Sequence, residues 1–236
     1  MAPLQFSHLL LVARFPSPGK CKTRLIPRLG AEGASVFALA ALSDLLHLFA
    51  GLPVRKTLLF TPDEERPALM RFLQEEGLSS TWNIHPQIAG VELGARLSGG
   101  LEYIQRLSDD HQASVTFIGM DCFDLTADRV RGSIALVTPS KAHILPARDG
   151  GYVLLSIPLR CSGNVFDGIP WSSDQTGDAQ VKALTANGIS CEVGDTLDDV
   201  DEPEDLDRLW RTQDQKSTLY PRTMKFLASI FGDEVR

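Results

Sequence analysis

Five cations, Arg14, Lys20, Lys22, Arg24 and Arg28, fall within fifteen residues, and no acid separates them. They follow directly on the apolar run His8–Ala13, in a chain whose formal net charge is −7. Concentrated positive charge after a first strand is how α/β proteins hold phosphates. Pro16 and Pro18 stiffen the loop and lower the cost of ordering it. Gly19 admits a phosphate close to the backbone. Lys20 and Lys22 supply point charges, Arg14 and Arg24 forked ones, and Thr23 a hydroxyl donor. A solvated surface loop would share this composition, but density, sign and position favour a bound anion. The glycine spacings of a Walker loop and of a dinucleotide fingerprint are both absent.

Two further clusters carry chemistry. Asp121-Cys122-Phe123-Asp124 follows the apolar run Ser114–Ile118. A carboxylate at that strand end, opposite a phosphate site, is placed to hold Mg²⁺ or Mn²⁺, which prefer oxygen ligands shared with phosphate. Asp121 is the first candidate metal ligand. Asp124 is a second, or else a cap for the following helix. The third cluster is Arg148-Asp149-Gly150-Gly151-Tyr152. Its glycines leave room for a ligand, so Gly150, Gly151 and Tyr152 are candidate substrate contacts. Asp149 would bind sugar hydroxyls or a metal, or take an acceptor's proton. A tight Asp-Gly hairpin accounts for the same residues.

The elements that must position these loops alternate. Strands are expected at 8–13, 57–60, 82–85, 114–118, 142–146, 152–157 and 189–193, with helices at 34–49, 67–76, about 90–107, 127–137, 178–187 and 203–210. The last of these opens with Asp201 as cap and Glu204 at the capping-box position. This alternation predicts an α/β fold with a mainly parallel central sheet and helices on both faces. Ligands then sit beyond the carboxyl ends of the strands, where all three clusters fall. One domain is expected over 1–210. A polar linker and a short amphipathic helix, 223–231, follow within 211–236 and pack on the body or on a partner; a homo-oligomer is compatible with this.

Composition narrows the class. The acidic balance argues against a nucleic-acid binder. The cysteines, Cys21, Cys122, Cys161 and Cys191, are scattered with no C-x-x-C pair. That argues against zinc and for reduced thiols in the cytoplasm. No apolar run approaches the ~20 residues of a membrane span.

The clusters together resemble one family. The segments at 13–27, 90–96 (Gly-x-x-Leu-Gly-x-Arg), 119–125, 149–152, 171–173 (Trp-Ser-Ser) and 199–206 are similar, in order, to a glycosyltransferase-A-like family labelled radical-SAM/selenodomain-associated transferase 1. The resemblance implies the nucleotide-diphospho-sugar transferase fold and a metal-dependent transferase acting on a nucleotide sugar and a small acceptor. The Lys-Thr-Arg-Leu and Asp-Gly-Gly segments also resemble guanylyltransferases that activate 2-phospholactate or phosphoenolpyruvate, which implies the alternative of nucleotidyl transfer from a nucleoside triphosphate. A non-catalytic nucleotide-binding protein is the third possibility. It draws on one departure: Cys122-Phe123 stands where the family has Ser-Pro. Ser173 replaces the usual Thr. Asp199 and Asp201 are read as structural, although in the family's fold their segment lies near the site.

Overall fold

The computed structural model describes residues 6–108, 110 and 112–232. Seven strands form one sheet: β1 (His8–Arg14), β2 (Arg55–Thr61), β3 (Asn83–Pro86), β4 (Ser114–Ile118), β5 (Lys141–Pro146), β6 (Tyr152–Pro158) and β7 (Ser190–Val193), in the order β3-β2-β1-β4-β6-β5-β7. β1 pairs in parallel with β2 and β4, β2 with β3, and β5 with β7; β6 is antiparallel to both its neighbours. Only β6 is reversed, so the expected mainly parallel sheet is what forms. The reversal has a local cause. β5 returns through the turn at Asp149-Gly150 instead of a crossover helix, so β6 starts where the other strands end.

The helices are α1 (Ile26–Ala50), α2 (Arg66–Glu75), α3 (Leu93–Leu107), α4 (Ala127–Leu136), α5 (Thr176–Ala186), α6 (Pro203–Arg211), α7 (Gln213–Lys216) and α8 (Pro221–Phe231). They cover both faces of the sheet, which is why β1 reads as an unbroken apolar run. Alternate residues serve opposite layers. Leu9 and Leu11 pack with α1, α2, α4, α6 and α8, while Leu10 packs with Leu97, Leu101 and Ile104 of α3 and Leu184 of α5.

α1 begins earlier than its apolar face suggests and bends at Gly30. The helical stretch Thr23–Ala50 is long and apolar enough, by length and composition alone, to cross a membrane, but most of its apolar part is buried in the core. Ser35, Ser43 and Asp44 interrupt the run, yet all three are buried. The Asp44 carboxylate accepts from Arg222 N at 3.1 Å and Thr223 N at 2.8 Å, capping α8 from another helix. Tyr220, Met224, Leu227 and Phe231 then enter the same core as α1. The residues after 210 therefore complete that core, and the segment expected as a polar linker includes α7.

Candidate active site

Four loops meet at the carboxyl edge of the sheet: those after β1, β4 and β7, and the β5–β6 turn. The first is braced along its length. Phe15 N donates to Thr61 O at 2.8 Å, Ser17 Oγ to Glu65 Oε1 at 3.0 Å, and Lys20 N to Ser17 O at 3.0 Å, which closes a turn over Pro18-Gly19. Gly19 takes a φ of 73° there, in the left-handed region open to glycine. Its role is the turn, and it lies outside the cavity that the loop borders. That cavity, about 360 Å³, is lined by Arg14, Lys20, Lys22, Thr23, Arg24, Thr61, Gln87, Arg96, Asp121 and Asp201, among others. Lys20 and Arg24 are exposed, as a phosphate site requires.

Lys22 differs from the phosphate contact expected of it. Its backbone is left-handed, with φ 44°. Its side chain, 10% exposed, turns inward to pair with Asp121 and with Asp201 Oδ1 at 2.9 Å, and donates to Val200 O at 2.5 Å. Burial opposes the charge, but Asp121 and then Asp201 outweigh it and hold the ammonium's pKa above its usual value.

A second cavity, about 290 Å³, adjoins the first. Asp121 borders both. Asp149, Gly151, Tyr152, Trp171, Ser172 and Ser173 contribute to its wall. Trp171 is seated against α3 at Gly94, where a Cβ would come within 2.6 Å of Phe166 O and 3.0 Å of the indole nitrogen. The Tyr152 ring lies edge-on to Trp171, with centroids 6.4 Å apart. The Tyr152 hydroxyl is spent on Gln180 Oε1 at 3.1 Å, and burial pushes its pKa well up, so only the ring is offered to a ligand. Gly150 needs correction. A Cβ there would lie 2.1 Å from Asp174 O, so the chain's own backbone fills the room expected for substrate.

The acids converge. Asp199 and Asp201, read as structural, lie with Asp149 so that one oxygen of each falls within 4.8 Å of the others. Burial, then the charge of Asp149 and Asp201, pushes the Asp199 carboxyl up to about 6. Val200 N donates to Asp121 O at 2.9 Å, which ties this segment to the β4 loop. Asp201 does not cap α6. Glu202 does, in a capping box with Asp205 in place of Glu204, because the Asp201 carboxylate is taken by Lys22. Asp124 lies apart from both cavities, paired with Lys216 and accepting from Asp198 N at 3.2 Å. It does not cap α4 either, since Thr126 does so by accepting from Arg129 N. Cys122 and Phe123 are core residues. Burial pushes the thiol up to about 12, and Phe123 packs against Phe37 and Tyr220.

Gln87 and Arg96 were missed as candidates. Gln87 Nε2 donates to Ala13 O at 3.2 Å and Leu59 O at 2.8 Å, which fixes the amide's orientation. Arg96 Nε donates to Val91 O at 2.9 Å and lines the first cavity. The resemblance marked position 96 through its motif. For Gln87 the only signal was its place after a strand.

The architecture is shared with solved structures. A protein assigned as a nucleotide-diphospho-sugar transferase, from Desulfovibrio desulfuricans G20, is 25% identical, with a TM-score of 0.81 covering 95% of this chain and 96% of that one. A nucleotidyl transferase from Methanothermobacter thermautotroptrophicus is 14% identical, with a TM-score of 0.54 covering 90% and 97%. A 4-diphosphocytidyl-2C-methyl-D-erythritol synthase from Anaerococcus prevotii DSM 20548 is 11% identical, with a TM-score of 0.53 covering 85% and 95%. The fold is that of the nucleotide-diphospho-sugar transferases. No curated protein matches the chain. A family model described as "Uncharacterized protein conserved in bacteria (DUF2064)" matches residues 45–173, more than half of the chain.

Proposed function

The chain belongs to the DUF2064 family, and from that premise we propose that it is a metal-dependent transferase acting on a nucleotide sugar. The observation that carries this is the junction of a cation-lined cavity and an aromatic-walled one at Asp121. Arg14, Lys20, Thr23, Arg24 and Arg96 would hold the nucleotide and its phosphates. Trp171, the Tyr152 ring and Gly151 would hold the sugar. The bond to be broken then lies between the cavities, where Asp149 contacts the sugar or takes the acceptor's proton. The narrower radical-SAM/selenodomain-associated transferase 1 grouping and a cytoplasmic place of action belong to the same proposal.

The donor set suits a hard divalent cation. Asp121, Asp149, Asp199 and Asp201 offer only carboxylate oxygens, the ligands of Mg²⁺ and Mn²⁺. Asp121 Oδ1 is buried and makes no well-formed hydrogen bond, although Lys22 lies beside it. Bound there, such a cation would neutralise charge on a nucleoside diphosphate leaving group.

The test is a panel of nucleotides and nucleotide sugars read by thermal shift with and without Mn²⁺, followed by product analysis. Saturation at ~100 times Kd adds about 2.7 kcal/mol of stability. Nucleoside diphosphate released from a nucleotide sugar supports the proposal. Pyrophosphate released from a nucleoside triphosphate would make the protein a nucleotidyltransferase. Binding without turnover of any member would make it a nucleotide-binding protein.

A further inference from the structure

Lys20 and Arg24, two residues to either side of Lys22, reach toward solvent, while Lys22 alone turns in. It does so from a left-handed backbone that a non-glycine residue rarely adopts. Strain of this kind persists where the surroundings over-determine it. What holds it here is an ammonium seated on Asp121, Asp201 and Val200 O. These are oxygen ligands around a positive charge, the arrangement that a divalent cation would make at the same carboxylates. Asp149 and Asp199 each bring an oxygen within 4.8 Å of Asp201's, so two further carboxylates adjoin the one that Lys22 holds. Two neighbouring cations take different acids: Arg24 pairs with Glu202 at 3.2 Å and Arg148 with Asp198 at 2.5 Å.

Resting on the metal-dependent reading above, we propose that Lys22 is a positioning residue that occupies the divalent cation's place on Asp121 and Asp201, and that metal entry transfers its ammonium to the phosphates. Two cations cannot share those oxygens, because like charges a few ångströms apart repel strongly in a partly buried site. An ammonium displaced from three acceptors needs a new anion, since an unpaired buried charge is costly. Lys22 lines the first cavity beside Lys20 and Arg14, so a bound phosphate is the anion within reach. Metal and phosphate binding are thereby coupled, and the coupling acts equally in both directions. Metal alone binds poorly because it must strand Lys22. Metal with a diphosphate does not.

Two measurements on the full chain test this. The first is Mn²⁺ affinity by calorimetry in the wild type and Lys22→Met, with and without inorganic pyrophosphate. Without pyrophosphate the variant should bind Mn²⁺ roughly 5-fold more tightly or better, the low end of typical coupling factors. A lysine that merely pins two loops together would give equal or weaker Mn²⁺ binding in the variant, and that result overturns the proposal while leaving metal dependence intact. The second needs no variant. Acetylation of Lys22 by acetic anhydride, read by peptide mass spectrometry in the wild type, should rise on adding Mn²⁺ and fall again on adding pyrophosphate. Labelling that does not change at saturating Mn²⁺ also overturns it. If neither protein binds Mn²⁺ with or without pyrophosphate, the metal-dependent reading falls, and this inference with it.

Discussion

The loop after β4 carries two aspartates three residues apart, and each meets a lysine from a distant part of the chain. Asp121 meets Lys22 of the first loop, and Asp124 meets Lys216 of α7. Burial does not separate the pairs: the lysines are 10% and 15% exposed, the aspartates 39% and 30%. Their company does. Asp121 borders two open cavities, one of them shared with Asp201 and the other with Asp149. Asp124 borders a cavity of only about 50 Å³ beside α6 and α7, where Asp198 N donates to its other oxygen. A half-buried lysine–aspartate pair is therefore no guide to function by itself. Free volume, about 360 and 290 Å³ beside Asp121 against about 50 Å³ beside Asp124, marks the pair that a ligand can open.

The two lysine–aspartate pairs part most clearly at Asp121. Asp121→Asn keeps the backbone bond to Val200 but removes the charge. We expect it to abolish Mn²⁺-dependent stabilisation by nucleotide and to lower turnover about 100-fold or more, within the range for losing one transition-state stabiliser. Its melting temperature should stay near that of the wild type. Metal-dependent binding that survives Asp121→Asn but vanishes in Asp149→Asn would show that the two acids have exchanged roles.

His8, unlike either pair, is a buried titratable group whose Nε2 has no hydrogen-bond partner. Burial first, and the charge of Arg55 second, push its pKa down to about 4. The unfolded chain, with an ordinary histidine near 6.5, takes up the proton first as pH falls. The stability from neutral His8 is thus complete above pH 6.5 and is lost between about 6.5 and 4. The loss is on the order of 3 kcal/mol. Urea denaturation across that range should be less pH-dependent in His8→Leu than in the wild type, and parallel curves would rule this out.

Asp124→Asn should do the reverse of Asp121→Asn, costing about 1–2 kcal/mol in denaturant unfolding while Mn²⁺ affinity stays within about twofold. A lost metal response here would erase the distinction between the pairs. The smallest effect is expected at the exposed rim. Lys20→Ala should weaken nucleotide binding about 5- to 10-fold at low salt, and less as ionic strength rises. Calorimetric titrations at two salt concentrations would check both parts.

Much of this was legible in the sequence because one rule served twice. Strand ends punctuated by Pro, Gly and Asp located the loops, and a parallel sheet brings such ends to one edge. The same rule applied to 198–201, which follows β7, yet Asp201 beside Pro203 read more naturally as a helix cap. Nothing local could show that its carboxylate would be claimed by Lys22, or that Glu202 and Asp205 would form the capping box instead. Gly150 misled for a similar reason: a glycine that admits a ligand and one that admits Asp174 look alike in sequence. Asp44 inside an apolar helix gave no hint that it would cap a helix near the other end of the chain. Each of these depends on a partner far away in the chain, which local pattern does not encode.

That distance has a consequence for how the protein is made. Lys22 and Asp201 are 179 positions apart, as are Asp44 and Thr223. At ribosomal rates of about 5–20 residues per second, roughly 9–36 s separate the synthesis of Lys22 from that of Asp201. Through that interval the cationic loop has emerged while the segment that neutralises Lys22 has not. A chain halted before Asp201 would display a basic loop without its acidic counterpart, and one halted before Thr223 would leave the Asp44 carboxylate without its backbone donors beneath an open core. Both defects are repaired by the same late stretch of polypeptide, so the nascent chain acquires the finished edge of its candidate site and its finished interior at nearly the same moment.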